Sequence, residues 1–289
     1  MKKHKLVGRF FIFSMIKKLY KKVIEIFNKP PSYRDLRLKL EKQDKLSLLN
    51  DQKLVPLHLE LNKINEAQNK EWGSFVYCDG YYYQGYKKIG IHGIKPTEER
   101  ISNYDIDQYL SKGKTVLDIG SNAGFMACFI SEFTKEVDAI ELNPYLVKMG
   151  SVTKAFLGLK NVNFLEGDFT EYSFPNKYDL VFSLSNHFTI DGNLNVGFET
   201  YIEKIFNTMN KNGIVFFESH DINGDDADLN EKFVIASKYF KLEKYKMVRS
   251  FFPQDIDKLF AVFVRLDEKN YGPEKNYFDL EVAKNTYKY

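Results

Sequence analysis

The stretch VLDIGSNAGF occupies residues 116–125 and decides the fold, because an apolar strand, an acid, a glycine-bracketed turn and a helix start follow one another. Gly120 and Gly124 permit turn angles that are closed to other residues and let the backbone approach a ligand closely. Such a turn delivers free amide groups from the start of the helix. The order of these features predicts a nucleotide-type ligand site at the end of a strand.

A second acid supports this prediction. Residues 137–141 form an apolar strand pattern that ends in Glu141. This acid follows the turn by about 20 residues, which is where α/β nucleotide-binding folds place the group that holds ribose hydroxyls. A tight turn that binds no ligand needs no second acid, so the glycine turn and Glu141 together favour a binding site.

The residues of the turn also narrow the class of ligand. A dinucleotide fingerprint would need glycine, or alanine at its end, where Asn122 and Phe125 stand. A phosphate-binding Walker loop would need Lys and Ser or Thr where Phe125 and Met126 stand. The carboxylate of Asp118 would repel phosphate and attract a cation. The turn therefore favours a cationic nucleotide-type ligand.

This arrangement resembles motif I of the class I S-adenosylmethionine-dependent methyltransferases, whose cofactor carries a sulfonium and an amino group. The resemblance runs through residues 111–267. It implies an α/β fold with a Rossmann-like sheet that is mostly parallel and has an antiparallel C-terminal edge, here with an N-terminal helical and aromatic extension. Asn122 departs from the glycine that the family often has at this place.

The resemblance assigns contacts with S-adenosylmethionine residue by residue. Asp118, Gly120 and Gly124 match the loop around the methionyl part of the cofactor. Glu141 matches the ribose-binding acid, and Asp168, after the third predicted strand, matches the acid that contacts the adenine amine. The other expected cofactor contacts are Ser121, Asn122, Phe125, Leu142, Phe169, Ser183 and Arg100.

Three of these contacts have a purely structural alternative. Glu141 could be a surface acid at a strand end, and Asp168 could form a turn. Arg100 belongs to a helix that begins near Thr97, from which it could reach the cofactor carboxylate or stay at the surface. The residues alone leave these alternatives open.

Two histidines are candidates for the base that an oxygen acceptor would need. His187 follows the fourth predicted strand and His220 follows the fifth. Both positions belong to the carboxyl edge of the sheet, where open α/β sheets bind ligands. We predict His220 as the base and His187 as base or acceptor contact. Asn186 and Glu218 are predicted to orient them.

A tyrosine-rich segment precedes the catalytic region. The side chains of Tyr81, Tyr82, Tyr83 and Tyr86 are predicted to form the acceptor surface, because a phenol offers a flat apolar face and a hydrogen-bonding tip that suit a sugar. A strand pair with tyrosine on both faces is the structural alternative.

Charge is concentrated at the N-terminus. Residues 1–29 hold nine Lys and Arg against one Glu, a net of +8, which leaves −5 for the rest of a chain whose total is +3. A slightly acidic body does not support a broad nucleic-acid-binding face. The arm also has apolar residues at helical spacing, so it either lies on a membrane surface or packs on protein. Arg9 and the lysines at 17 and 18 make its apolar run too short to span a membrane.

Composition sets the remaining limits. The 289 residues include two cysteines, so a disulfide framework is excluded and a cytoplasmic location is expected, with peripheral attachment at the inner face of the membrane left open. Residues 221–228 open like a calcium loop, but Asp226 stands where that loop needs glycine and Lys232 stands where it needs glutamate. A solvated acidic loop without a metal is predicted, with magnesium near the acceptor as the alternative. We divide the chain into a basic arm (1–29), an acceptor-side region (30–110), a catalytic domain (111–267) and a tail (268–289).

The predicted function is O-methylation of a sugar hydroxyl in a cell-surface glycan or lipid-linked saccharide, with S-adenosylmethionine as cofactor and a histidine base. The tyrosine segment, the helix start at 96–100 and the turn at 120 together are loosely similar to bacterial methyltransferases of surface-polysaccharide clusters. Two alternatives remain: an RNA-modifying methyltransferase that uses the basic arm as a clamp, and a membrane-associated scaffold that binds the cofactor without turnover.

Overall fold

The computed structural model describes residues 32–72, 77–186, 196–222, 227–249, 257–270 and 278–286. The basic arm over residues 1–29 and the histidine at 187 lie outside the described residues. What the sequence predicts for His187 and for the arm therefore stays a prediction.

One sheet of seven strands lies at the centre of the described part of the chain. In chain order the strands are β1 (Thr115–Ile119), β2 (Glu136–Glu141), β3 (Val162–Glu166), β4 (Tyr178–Leu184), β5 (Met209–Glu218), β6 (Phe240–Arg249) and β7 (Asp257–Arg265). Their order across the sheet is β3-β2-β1-β4-β5-β7-β6.

The pairing of the strands confirms a mostly parallel sheet with an antiparallel C-terminal edge. Strands β1 to β5 pair in parallel, whereas β7 runs antiparallel to both β5 and β6. The strand order reverses between β1 and β4. In open α/β sheets the crevice outside the carboxyl ends at such a reversal is the usual ligand site.

Helices cover both faces of this sheet. They are α1 (Tyr33–Asn50), α2 (Val55–Glu71), α3 (Thr97–Tyr104), α4 (Phe125–Ser131), α5 (Pro144–Leu157), α6 (Phe198–Thr208), α7 (Leu229–Ala236) and α8 (Leu280–Thr286). One hydrophobic cluster joins the sheet to α6 and α7, and a second joins it to α3 and α4. Burial on both faces explains why β1 reads as a continuous apolar run. Among the described helices, none is both long enough and apolar enough to cross a membrane.

The N-terminal extension is helical, as predicted, and it packs beside the loop that connects β1 to α4. A short turn over 52–54 separates α1 from α2. Pro56 then lies in the first turn of α2, where its missing amide leaves no helical bond unmade. Leu57 and Leu61 pack in a third hydrophobic cluster that includes Phe125. The extension therefore braces the helix that follows the glycine turn.

Candidate active site

The loop between β1 and α4 takes a left-handed path at three positions. Gly120, Asn122 and Gly124 have φ angles of 63°, 52° and 72°. Glycine adopts this region freely, and asparagine is one of the few other residues that tolerate it. Asn122 therefore supports the loop conformation although it departs from the family's glycine.

The backbone amides of this loop already donate to acceptors inside the protein. The five bonds run from Ser121 to the Ile140 carbonyl (3.1 Å), from Asn122 to Glu141 Oε2 (2.9 Å), from Ala123 to Asn122 Oδ1 (2.8 Å), from Gly124 to the Ser121 carbonyl (3.0 Å) and from Phe125 to Gln84 Oε1 (3.0 Å). The prediction of free amides at this turn is wrong, because neighbouring groups take up the donors. A loop whose five amides are engaged forms no cradle for phosphate, in agreement with the excluded motifs.

Gln84, which sequence reasoning missed, holds the loop from the side of the N-terminal extension. Its side chain is buried, and its Nε2 donates to the Ser121 carbonyl at 3.1 Å while its Oε1 accepts from Phe125. Both ends of one side-chain amide are thus used by the loop. The sequence holds no local signal for this contact, because Gln84 and the loop are separated by about 40 positions.

The glycines of the loop make room for protein side chains. A Cβ at Gly120 would lie 2.6 Å from Asn186 Oδ1, and a Cβ at Gly124 would lie 2.2 Å from the ring of Phe164. The space that the two glycines leave open, which was predicted for a ligand, is therefore occupied by the side chains of Asn186 and Phe164. Asn186 also donates to the Ile119 carbonyl. Its amide therefore holds the loop, and its predicted role of orienting a histidine stays a prediction.

Two buried polar atoms next to the loop remain for a ligand. Asp118 is 2% exposed and Ser121 is 1% exposed, and Asp118 Oδ2 and Ser121 Oγ have no hydrogen-bond partner among the described residues. Burial raises the pKa of Asp118 to about 7, although Arg100 opposes this shift. A buried polar atom without a partner is costly. The amino group and hydroxyls of S-adenosylmethionine would satisfy both atoms, so these residues fit that cofactor.

The two acids expected to bind the nucleoside differ in their surroundings. Glu141, at the end of β2, accepts from the amides of Asn122 (2.9 Å) and Asn143 (3.0 Å), which orient its carboxylate beside the loop. Asp168 accepts from the amide and the hydroxyl of Thr170, both at 2.7 Å. Asp168 thus forms a turn, which was its structural alternative, and its role toward adenine stays a prediction.

Three further expected cofactor contacts lie at or beneath the same edge. Leu142 is half-buried after β2. Phe169 packs in the core cluster below the sheet, and Ser183 is fully buried with its Oγ 2.8 Å from Tyr201 OH. The core takes up the side chains of Phe169 and Ser183, and their contacts with the cofactor stay predictions.

A buried ionic cluster surrounds Glu218 at the carboxyl end of β5. Glu218 accepts from Arg100 Nη2 at 3.0 Å and from Lys95 Nζ at 3.3 Å, and Lys258 Nζ lies 3.7 Å away. Ser185 Oγ (2.6 Å) and Tyr104 OH also donate to this carboxylate. Burial alone would raise the pKa of Glu218, but the three cations hold it well below its usual range.

This cluster changes two predicted roles. Arg100 is 4% exposed, so its surface alternative is wrong, and its guanidinium joins α3 to β5. Glu218 was predicted to orient a histidine, but its carboxylate accepts from cations of two elements. Sequence reasoning missed Lys95 and Lys258, since both lysines are far from Glu218 in the chain.

His220 lies beside this cluster, half-buried. Burial and the charge of Lys258 lower the pKa of His220 to about 3, so the ring is neutral at physiological pH. The ring also hydrogen-bonds the backbone of Ser185. A ring nitrogen that donates to a carbonyl fixes the tautomer and leaves a lone pair on the other nitrogen. His220 thus presents a neutral, oriented imidazole at the carboxyl edge.

The structure places three of the four tyrosines in the core of the N-terminal extension. Tyr81, Tyr82 and Tyr86 are 6%, 5% and 1% exposed. Their hydroxyls donate to Asp44, Asn62 and Glu132, respectively. These three rings do not form an acceptor surface, because the hydrophobic cluster around α2 and α4 takes them up. Tyr83 differs, since its ring lies 5.5 Å from the ammonium of Lys95, next to the ionic cluster.

Within the described ranges, no group of three or more His, Cys, Asp or Glu residues could hold a metal ion. The acidic segment over 221–228 is described only in part. Its solvated-loop interpretation stays a prediction.

Comparison with known proteins identifies the fold's relatives. A family model described as a methyltransferase domain matches residues 110–269. The rRNA adenine N-6-methyltransferase of Streptococcus pneumoniae is 30% identical over 113 residues, which are 38% of this chain and 45% of that protein. The sterol 24-C-methyltransferase of Pneumocystis carinii is 33% identical over 78 residues, 26% of this chain and 21% of that protein. The chain spans less than half the length of these curated relatives.

Among solved structures, the N-methyltransferase NodS of Bradyrhizobium japonicum in complex with S-adenosyl-L-homocysteine is similar with a TM-score of 0.48. The match has 14% identity and covers 60% of this chain and 89% of that chain.

Proposed function

We propose that this chain, which belongs to the methyltransferase-domain family, is an S-adenosylmethionine-dependent methyltransferase whose acceptor is a sugar hydroxyl of a cell-surface glycan or lipid-linked saccharide. The observation that carries this proposal is the position of His220, a half-buried imidazole that follows β5 at the carboxyl edge, beside the Glu218 cluster. A neutral sugar hydroxyl is a poor nucleophile and needs a proton acceptor beside it. Tyr83, at the same edge, adds a flat ring of the kind that sugars pack against.

The residues around the loop would have distinct roles in the reaction. Asp118, Ser121 and Glu141 would hold the cofactor, which when bound supplies an electrophilic methyl group. His220 would accept the hydroxyl proton as the acceptor oxygen becomes nucleophilic. The negative charge of Glu218 favours the resulting imidazolium, since it raises the pKa of His220. Most of the remaining rate gain would come from holding the two reactants in line.

His187 and the basic arm complete the proposal from sequence alone. His187 is proposed as an acceptor contact or second base, on the strength of its position after β4. The arm over residues 1–29 is proposed to lie on the inner face of the membrane, because basic residues on one side and apolar residues on the other suit that interface. A cytoplasmic enzyme attached in this way would reach a lipid-linked acceptor.

A second candidate, RNA modification, is favoured by one specific observation. The relative from Streptococcus pneumoniae is named as an rRNA adenine N-6-methyltransferase. In that case the arm would serve as the clamp for RNA. Binding of RNA would then fall steeply with salt concentration, and this salt dependence would vanish when residues 1–29 are deleted.

Methyl-labelled cofactor, incubated with the enzyme and separated glycan, lipid, RNA and protein fractions, tests the proposal. We expect label in a glycan or lipid-linked saccharide fraction, and label confined to RNA would reject it. The variant His220→Gln should turn over at least about 100-fold more slowly, which is the usual contribution of a general base. His92→Gln is the matched control, because His92 pairs with Asp44 in the N-terminal extension. Full turnover by both variants would remove His220 as the base.

A further inference from the structure

The bend between α1 and α2, residues 42–59, carries apolar side chains on its outer side. Leu46, Leu49, Val55 and Leu59 are 52%, 73%, 37% and 67% exposed. Leu49 and Leu59 are the two most exposed large apolar side chains in the part of the chain that the structure describes. Single exposed leucines are ordinary, whereas several on one short bend indicate an interaction surface.

The inner side of the same bend is used by the fold. Leu54 and Leu57 are buried, and Leu57 packs in the third hydrophobic cluster. His58 is also buried, and its Nε2 lies 2.7 Å from the Ile89 carbonyl oxygen. These contacts fix the bend to the rest of the extension, so its outer leucines face solvent in a defined position.

Lysines lie among the exposed leucines. In α1, Leu46 follows Lys42 by four residues and Leu49 follows Lys45 by four residues, so all four side chains share one side of the helix. Lys42 and Lys45 are both exposed, and Lys53 is exposed in the turn that follows. The outer side of the bend therefore alternates apolar and cationic groups.

The acids of this region do not cancel that charge. Glu41 accepts from Arg37 Nε at 2.7 Å. Asp44 is buried, and its Oδ1 accepts from the His92 amide at 2.9 Å and lies 2.8 Å from His92 Nδ1. Asp51 is the one exposed acid within the bend. Three exposed lysines against one exposed acid leave the outer side positive.

We propose that the bend over residues 42–59 binds the surface of an anionic membrane, with its exposed leucines among the lipid headgroups and its lysines on the lipid phosphates. Leucine and lysine on one helix side suit this interface, because the lysine stem lies along apolar groups while the ammonium reaches the phosphates. This inference extends the membrane contact proposed for the arm to described residues. It depends neither on the arm nor on the identity of the acceptor.

A second copy of the chain is the competing occupant. In a two-fold dimer the same patch of both subunits forms the interface, so the lysines of one bend would approach those of the other. Like charges that meet across an interface weaken association. An anionic leaflet instead supplies the opposite charge. The charge of the bend therefore favours a lipid surface over a second copy.

Sedimentation of the full chain with lipid vesicles tests the proposal. The probes are vesicles of phosphatidylcholine alone and vesicles of three parts phosphatidylcholine to one part phosphatidylglycerol. We expect tighter binding to the vesicles that contain phosphatidylglycerol. The double variant Lys42→Gln, Lys45→Gln should reduce that binding about 10-fold or more, because each lysine near an anionic leaflet contributes about 5-fold. No binding to either vesicle, or equal binding to both, would overturn the proposal.

One leucine variant then locates the contact. Leu49→Gln should reduce binding to the anionic vesicles about 5-fold or more, because it removes apolar surface from the interface. The matched control is Val234→Gln, since Val234 is also an exposed apolar side chain on a helix, α7. This control should leave vesicle binding unchanged. An equal loss in both variants, or no loss in Leu49→Gln, would contradict the assignment to the bend.

Two further measurements on Leu49→Gln identify a different occupant. If another segment of the chain covers the bend, the variant should have a lower free energy of unfolding in urea. If a second copy covers it, light scattering should show a dimer in the wild type that dissociates in the variant. Either result without a loss of vesicle binding would overturn the proposal.

The outcomes separate this inference from the proposed function. If label enters a saccharide fraction but the variants of the bend bind vesicles as the wild type does, the membrane surface is wrong and the sugar acceptor stands. If label enters RNA alone but vesicle binding falls in Leu49→Gln and not in Val234→Gln, the sugar acceptor is wrong and the membrane surface stands.

Discussion

Replacement of Glu218 by glutamine tests the ionic cluster most severely. The side chain is 3% exposed and faces three cations at 3.0 to 3.7 Å. Glu218→Gln keeps the shape and removes the charge, so Lys95, Arg100 and Lys258 lose their shared counter-ion. Removal of one partner from a buried ion pair costs about 3–5 kcal/mol. We expect a loss of this size in the free energy of unfolding, measured by urea denaturation at pH 7.

The control is Glu166→Gln, because Glu166 also ends a strand but is exposed. Its free energy of unfolding should change by less than about 0.5 kcal/mol. A loss below about 1 kcal/mol for Glu218→Gln would refute the cluster, since that is the range of an exposed ion pair.

The pH dependence of the same variant gives a second test. Burial lowers the pKa of Lys95 and Lys258 to about 8, so both lose their protons in the folded state before they do so in the unfolded chain. Stability therefore rises as pH increases through about 8. The deficit of Glu218→Gln should shrink over the same interval, while Arg100 keeps its charge. A deficit that stays constant from pH 6 to pH 9 would contradict the role of the lysines.

Three further changes test the loop and its supports. Gly85→Ala would place a Cβ 1.7 Å from the His92 carbonyl oxygen. This variant should lower the free energy of unfolding, measured by thermal melts, by about 3 kcal/mol or more. Gly113 has open space around it, so Gly113→Ala should change this free energy little. Because the pKa of Asp118 is about 7, its carboxylate ionises between pH 6 and pH 8. The affinity for the cationic cofactor, measured by calorimetry, should therefore rise about 10-fold over that range. In Asp118→Asn the affinity should not change with pH, and an equal rise in this variant would assign the pH dependence to another group. Gln84→Leu removes both hydrogen bonds that hold the loop and should cost about 2 kcal/mol in urea unfolding, so an unchanged midpoint would show that the loop needs no such support.

The sequence predicts what is encoded locally. The apolar run, the acid and the two glycines over 116–125 specify a strand, a turn and a helix within ten positions, and the structure confirms these elements. Glu141 follows from the same logic, because one crossover helix sets the distance between neighbouring parallel strands. The local sequence does not show why residue 124 is glycine, because the ring of Phe164, which occupies the space a Cβ would need, comes from β3.

Contacts made by distant segments could not be predicted. Lys95 and Lys258 meet at Glu218 although they are 123 and 40 positions away from it in the chain. No local pattern marks such lysines, which look like ordinary surface cations until the sheet brings them together. The prediction that the tyrosine segment forms an acceptor surface was wrong for a related reason. Its composition suits a binding surface and a core equally well. Only the packing of α2 against α5, with Phe125 beside the ring, decides that Tyr82 is buried.

Hydrogen–deuterium exchange of the full chain, with and without S-adenosylmethionine, measures most directly where the cofactor binds. Slower exchange is expected in the segment over 116–125 and around Glu141 at the end of β2. Asp118→Asn should reduce this protection at subsaturating cofactor. Protection that spares the segment over 116–125 and appears elsewhere in the chain, or no protection anywhere, would contradict cofactor binding at the carboxyl edge of β1.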